Sequence, residues 1–106
     1  MRKKMENHAT WKIHPGEILR EEFLKPLGMS SYELSKRLRV PPPRINDIVL
    51  EKRGITADTA VRLAKFFGTS EGFWMNLQAS YEVRDARNRL AKEISRIQPH
   101  RAKTAA

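Results

Sequence analysis

The stretch Ser30-Ser31-Tyr32-Glu33-Leu34-Ser35-Lys36-Arg37-Leu38-Arg39-Val40-Pro41-Pro42-Pro43-Arg44-Ile45-Asn46-Asp47-Ile48-Val49 decides the fold. The Ser30 hydroxyl, followed three residues later by the Glu33 carboxylate, has the spacing of a capping box that opens a helix. From Ser31 onward apolar residues fall at Leu34, Leu38, Val40, Ile45 and Ile48, with small Ser35 between the first two. Leu34 and Leu38 face inward from one helix, Val40 plugs a turn, and Ile45 and Ile48 hold a second helix across it. The small side chain at 35 lets the two helices approach closely. This is the pattern of a helix-turn-helix over about residues 30–50, although two ordinary core helices of a bundle share the spacing. Pro41-Pro42-Pro43 marks the boundary between the helices. A residue before proline is pushed out of the helical region, so 40–42 are expected to be extended and the second helix to span about 43–50. The turn position 39, often glycine in such motifs, is arginine. A positive φ there costs of order 1 kcal/mol and places a cation where it can meet a phosphate.

Working outward, the rest of the chain also reads as helix, and no alternating run suggests a sheet. Pro15 suits a first helical position and Glu17 a first turn, with Leu19, Phe23 and Leu27 at i, i+4 and i+8. Pro26 is expected to break or tighten the last turn, and Gly28 to stop the helix. Thr56 caps a fourth helix whose buried face is Ala60, Leu63, Ala64 and Phe67, and Gly68 ends it. Ser70 caps a fifth segment that runs to about Ile97. The reading is all-α, with five helices and an extended C-terminal helix. A basic N-terminal arm (1–13) precedes the helix-turn-helix domain (14–80), and a C-terminal helix and basic tail (81–106) follow. The polar ends 1–10 and 98–106 are expected to be mobile.

Composition narrows the function. The 106 residues carry 21 Lys+Arg against 12 Asp+Glu, a formal charge of +9, with 40% hydrophobic residues and no cysteine. That is enough apolar material for one core, and it leaves no disulfide, thiolate zinc site or thiol nucleophile. Apolar runs are too short for a membrane-spanning helix, and Glu6, Asn7 and His8 interrupt what Met1-Arg2-Lys3-Lys4 begins as a signal peptide. A cytoplasmic location is expected. The charge favours an anionic partner, nucleic acid before membrane surface. Its distribution is more telling: the central 15–80 is nearly neutral outside the window 29–53, which holds six basic and three acidic residues. The flanks carry most of the remainder, with seven basic against three acidic residues in 81–106.

With Ile45, Ile48 and Val49 inward, the second helix of the motif presents Pro43, Asn46, Asp47 and Leu50, with Arg44 on its flank. Arginine makes bidentate contacts to guanine and asparagine to adenine, and Pro42 and Pro43 can touch thymine methyls. Asp47 can accept from cytosine, orient Arg44, or simply form an exposed i, i+3 pair with it. Ser31, Tyr32, Arg39, Lys52 and Arg53 are placed for phosphates, which fix register rather than sequence. Pro42, Pro43, Arg44, Asn46 and Asp47 are therefore the candidate base readers.

The stretch 40–49, then Arg53-Gly54-Ile55-Thr56-Ala57-Asp58-Thr59-Ala60, and Phe67-Gly68-Thr69-Ser70 leading to Phe73-Trp74-Met75-Asn76-Leu77-Gln78, stand in one order. Together they resemble the HigA (VapI-like) antitoxins of the XRE-type, lambda-repressor-like helix-turn-helix superfamily, over about residues 14–84. The resemblance implies a homodimer that binds a palindromic operator in its own promoter and represses its operon. It also implies neutralisation of a HigB toxin, a RelE-like ribonuclease that cuts translating mRNA. It makes 43–50 the recognition helix and Arg44 its leading base reader, with two copies set about 34 Å apart in successive major grooves. Where the family usually has Asn-Gly, this chain has Leu50-Glu51, expected to lengthen the helix and bring a carboxylate near the backbone.

Other readings are weaker. Trp74, Leu77 and Tyr81, at i, i+3 and i+7, read as core rather than as a cofactor box. Val83, Ala86, Leu90, Ile94 and Ile97 form a second stripe, half a turn away if the helix is continuous. Another chain buries that stripe, either the dimer mate or a toxin, unless a kink near Ser80 folds the tail back or the helix frays. His8, His14 and His100 share no metal-ligand spacing, so no metal or other cofactor is expected. Glu17, Glu21 and Glu22 read as a solvated face, and no phosphate loop or nucleophile elbow points to an enzyme or a small-molecule substrate. A stand-alone transcriptional regulator without a toxin, and a basic RNA-binding adaptor, are the alternative functions.

Overall fold

In the computed structural model, residues 12–101 are described, and they form six helices with no strand among them. Helix α1 covers 15–27 in three pieces: an α-helical start (Pro15–Ile18), a π-helical middle (Leu19–Leu24) and a closing turn (Lys25–Leu27). It is followed by α2 (Ser31–Leu38), α3 (Pro42–Val49), α4 (Ala57–Phe67), α5 (Glu71–Arg89) and α6 (Ala91–Ser95). Most of the expected basic arm, and residues 102–106 of the tail, lie outside the described residues.

Local chemistry sets most of the boundaries. Ser30, Thr56 and Ser70 each accept a hydrogen bond from the amide three residues on, satisfying a first-turn donor that has no partner within the helix. Gly28 and Gly68 close α1 and α4 in the left-handed region. Arg39 occupies the same region, at φ 63°, so the turn of the motif does require a positive φ from a residue that resists it.

Five expectations are corrected. Helix α3 starts at Pro42 rather than Pro43 and ends at Val49. First-turn amides have no intrahelical acceptor, so two prolines there forfeit no bond; Pro41 takes the extended conformation (ψ 143°) and Pro42 is already helical. Leu50-Glu51 does not lengthen α3, because Glu51 turns left-handed (φ 62°) and ends it. Pro26 neither breaks nor tightens α1. Its ring would clash with the carbonyl four residues back, and the preceding turns widen to π register, with the Lys25 amide donating to the Arg20 carbonyl. Glu17 is buried rather than solvated, because the whole start of α1 is packed inside the molecule. The fifth helix is not continuous to Ile97. It runs straight through Ser80 but breaks at Leu90 (φ −102°, ψ 14°), where no packed face remains to hold one helical axis.

One core joins the elements. Leu34, Leu38 and Val40 from the first half of the motif meet Ile45, Ile48 and Val49 from the second, with Ser35 fully buried between them. Leu19 and Leu24 from α1, Leu63 from α4 and Trp74 from α5 complete it.

Helix α1 has a cap that the sequence reading missed. The His14 Nδ1 accepts from the Gly16 amide at 2.9 Å, and its ring packs edge-on against Tyr81 at 4.8 Å. Burial pushes this imidazole below its ordinary value of 6.5, with a smaller opposing pull from Glu51. A depressed folded-state value means that protonation favours unfolding. The stability carried by His14 is therefore complete above about pH 6.5 and drains as pH falls below it. His14→Asn, which keeps a capping acceptor but cannot titrate, is expected to flatten the dependence of Tm on pH just below 6.5. A series of thermal melts at stepped pH checks this.

Candidate nucleic-acid interface

The exposed face of α3 and the start of α2 form one surface. Ser31, Tyr32, Pro42, Pro43, Asn46 and Asp47 line a shallow concavity of about 300 Å³. The Ser31 hydroxyl lies 3.3 Å from the Asn46 side-chain oxygen, tying the start of α2 to the middle of α3. Tyr32 stands exposed, with the Lys36 ammonium 5.4 Å from its ring centroid. Four of the five candidate base readers and two of the five candidate phosphate ligands are thus brought together.

Arg44 is not among them. Its guanidinium turns to the opposite flank of α3 and pairs with Asp58 in the first turn of α4 at 2.7 Å, not with Asp47. Asp47 instead faces Arg53 at 3.8 Å. Arg44 and Arg53 share a second small hollow, of about 200 Å³, with Gly54, Thr56, Asp58 and Thr59. Arg39 stands exposed at the turn, and Lys52 is exposed just beyond α3. The candidate cations therefore surround α3 instead of lying along one line.

Four residues outside the candidate set, Arg20, Gln78, Gly54 and Gly16, hold this surface in place. Arg20 of α1 donates to the Val49 carbonyl at the end of α3, and its other Nη lies 3.3 Å from the Glu51 carboxylate. That satisfies a C-terminal carbonyl which the helix leaves without a partner. The carboxylate expected near the backbone is thereby taken up by Arg20. Buried Gln78 of α5 accepts from the Ile55 amide at 2.7 Å and fixes the loop after α3. A side chain on Gly54 would collide with it, since a Cβ there would lie 2.7 Å from the Gln78 amide. Gly16 brings α1 against the backbone of α3 in the same way.

The C-terminal stripe is open. Val83, Leu90, Ile94 and Ile97 are exposed and Ala86 is half-buried. The break at Leu90 takes Ile94 and Ile97 off the single face that a continuous helix would give them. Trp74 and Leu77, by contrast, pack into or against the core as expected, and Tyr81 is half-buried against His14. Among the described residues, no group of three or more His, Cys, Asp or Glu side chains is gathered for a metal ion. No helix among them is long and apolar enough to cross a membrane.

Two short helices joined at Arg39, the second packed on the first and on α1 and exposing Pro42, Pro43 and Asn46, define an all-α, lambda-repressor-like helix-turn-helix protein. The chain belongs to the helix-turn-helix family HTH_3, whose model matches residues 20–74. It is 58% identical to virulence-associated protein I of Dichelobacter nodosus over 74 residues, 70% of this chain and 68% of that protein. Its structure superposes on Pseudomonas aeruginosa antitoxin HigA, solved with the higBA promoter, with a TM-score of 0.82 and 49% identity. That match covers 84% of this chain and 98% of the other. Antitoxin GraA in complex with its operator matches with a TM-score of 0.83 and 40% identity, over 91% of this chain and 98% of that one.

Proposed function

We propose that this chain is the antitoxin of a type II toxin–antitoxin module. It binds operator DNA in its own promoter as a homodimer, represses that operon in the cytoplasm, and neutralises a HigB/RelE-like mRNA-cleaving toxin. It is a binding protein with no catalytic step of its own. One observation carries the reading: an exposed α3 face with Asn46 and Asp47 beside Pro42 and Pro43, in a chain about half identical, over most of its length, to an antitoxin solved with its promoter. In this reading α3 enters the major groove, where Pro42, Pro43, Asn46 and Asp47 meet base edges from the concavity and Arg44 meets them from the flank. Ser31, Tyr32, Arg39, Lys52 and Arg53 contact the flanking phosphates. Val83, Ala86, Leu90, Ile94 and Ile97, apolar and largely open to solvent, supply the surface for a second copy or the toxin.

Arg44→Ala tests the DNA half. The probe is a duplex covering the sequence immediately upstream of the chain's own coding region, compared with a scrambled duplex of the same composition. The substitution is expected to cost about 1–3 kcal/mol on the upstream duplex and almost nothing on the scrambled one, measured by gel shift at fixed salt. An equal loss on both would make Arg44 a phosphate ligand only. Co-expression with the adjacent reading frame tests the other half, since an antitoxin co-purifies with the product of that frame and restores growth that the product alone arrests.

A further inference from the structure

We propose that Asp58 is the positioning residue for Arg44, fixing its guanidinium so that one edge remains free to read a base; this rests on Arg44 being a base reader.

The geometry is a chain of polar contacts that ties three helices together. A single Asp58 oxygen, Oδ1, accepts from Arg44 Nη1 and from Arg62 Nε, each at 2.7 Å. Arg62 Nη1 in turn donates to the Leu38 carbonyl at 2.8 Å, one of the carbonyls that the end of α2 leaves without a partner. Asp58 is therefore held from α2 through Arg62, and it holds the flank of α3 through Arg44. The two arginines also keep its carboxyl below the usual carboxylate range, Arg62 more than Arg44.

The consequence for Arg44 follows from the shape of guanidinium. It is a rigid planar fork with two edges on which it can make paired hydrogen bonds. With Nη1 committed to Asp58, the edge made by Nε and Nη2 is left for the paired acceptors N7 and O6 of guanine. An arginine on an exposed flank otherwise samples many rotamers and loses that freedom on binding. At 30% exposure and with an anchored partner, Arg44 has already given up much of it. A carboxylate facing a phosphate-lined ligand carries a cost, because it repels DNA of every sequence. Asp58 thus exchanges overall affinity for discrimination, which is the effect expected of a specificity determinant.

The test measures the ratio of affinities for the upstream and scrambled duplexes by gel shift, for the full chain carrying Asp58→Asn. The ratio is expected to fall about tenfold while binding to the scrambled duplex holds or strengthens. Asp58→Glu, which keeps the charge, is expected to recover part of the ratio. In an Arg44→Ala background Asp58→Asn is expected to leave the ratio unchanged, because there is nothing left to position. If the carboxylate merely repels DNA, Asp58→Asn would raise affinity for both duplexes equally and leave the ratio intact, which overturns the proposal. An equal fall of the ratio with and without Arg44 also overturns it, since the effect would then run through the fold. If the unaltered chain shows no preference for the upstream duplex, the operator-binding reading itself fails. If Arg44→Ala abolishes a preference that Asp58→Asn leaves untouched, only the positioning role fails.

Discussion

Gly16→Ala is expected to destabilise the protein by about 3 kcal/mol or more and to lower Tm by roughly 10–20 °C. A Cβ at this position would lie 1.8 Å from the Ile48 carbonyl oxygen and 2.8 Å from its carbon. Both atoms are backbone, so no side chain can swing aside, and α1 must separate from α3 by more than an ångström. That movement opens the core shared by the two helices, where Leu19 of α1 and Ile45 and Ile48 of α3 are all fully buried. Alanine normally gains up to about 1 kcal/mol over glycine inside a helix, which is too little to offset the lost packing. Gly72→Ala is the control. It also lies in the first helical turn of its element, where the nearest atom to a new Cβ is 3.9 Å away, and it is expected to be neutral or slightly stabilising. Urea denaturation of the two variants beside the parent chain separates these outcomes. Because the displaced partner is α3 itself, Gly16→Ala also predicts weaker binding to the upstream duplex under conditions where the variant is still folded.

The parts of this structure legible in the sequence are those set by neighbours within a few residues. The five apolar positions of the motif, the caps at Ser30, Thr56 and Ser70, and the stops at Gly28 and Gly68 are all local, and all stand where the spacing puts them. The demand for a positive φ at Arg39 was legible for the same reason. The contacts that tune the candidate interface are not local. Arg44 reaches Asp58 across 14 residues, Gln78 reaches Ile55 across 23 and Arg20 reaches Val49 across 29, and no periodicity encodes them. Helical spacing offered Asp47 as the partner of Arg44, whereas the packing of α4 against α2 supplies a better-held carboxylate. The break at Leu90 carries no glycine or proline to announce it, and it follows from the loss of buried contacts beyond Ala86. Gly16 did carry a signal: a poor helix former directly after Pro15, where almost any other residue would favour the helix. The net charge was similarly blunt. The cations that matter for specificity in this reading are fixed by their partners rather than by their number.

Trp74→Ala is expected to cost about 3–5 kcal/mol, a large share of the stability of a small domain. Trp74 is fully buried and packs against Phe23 and Phe73 at 4.9 Å and Phe67 at 6.2 Å between ring centroids. Its neighbours come from three helices: Phe23 from α1, Phe67 from α4 and Phe73 from α5. The indole N–H donates to the Thr69 hydroxyl at 2.7 Å, which pins the loop between α4 and α5. Truncation therefore leaves a cavity too well braced by aromatic rings to collapse, and it removes the donor that holds Thr69. Trp74→Phe separates the two losses. It keeps most of the ring contact and forfeits the hydrogen bond, so a cost of about 1–2 kcal/mol is expected. Equilibrium unfolding in urea, with the slope held in common, measures both variants. If alanine cost no more than phenylalanine, the aromatic cluster would not be what joins α1, α4 and α5. The α3 face would then depend on Gly16, Arg20 and Gln78 alone for its placement. A large gap between the two variants instead places the support of that face in the core beneath it, so that weaker DNA binding by Trp74→Ala reflects loss of the fold and not of a contact.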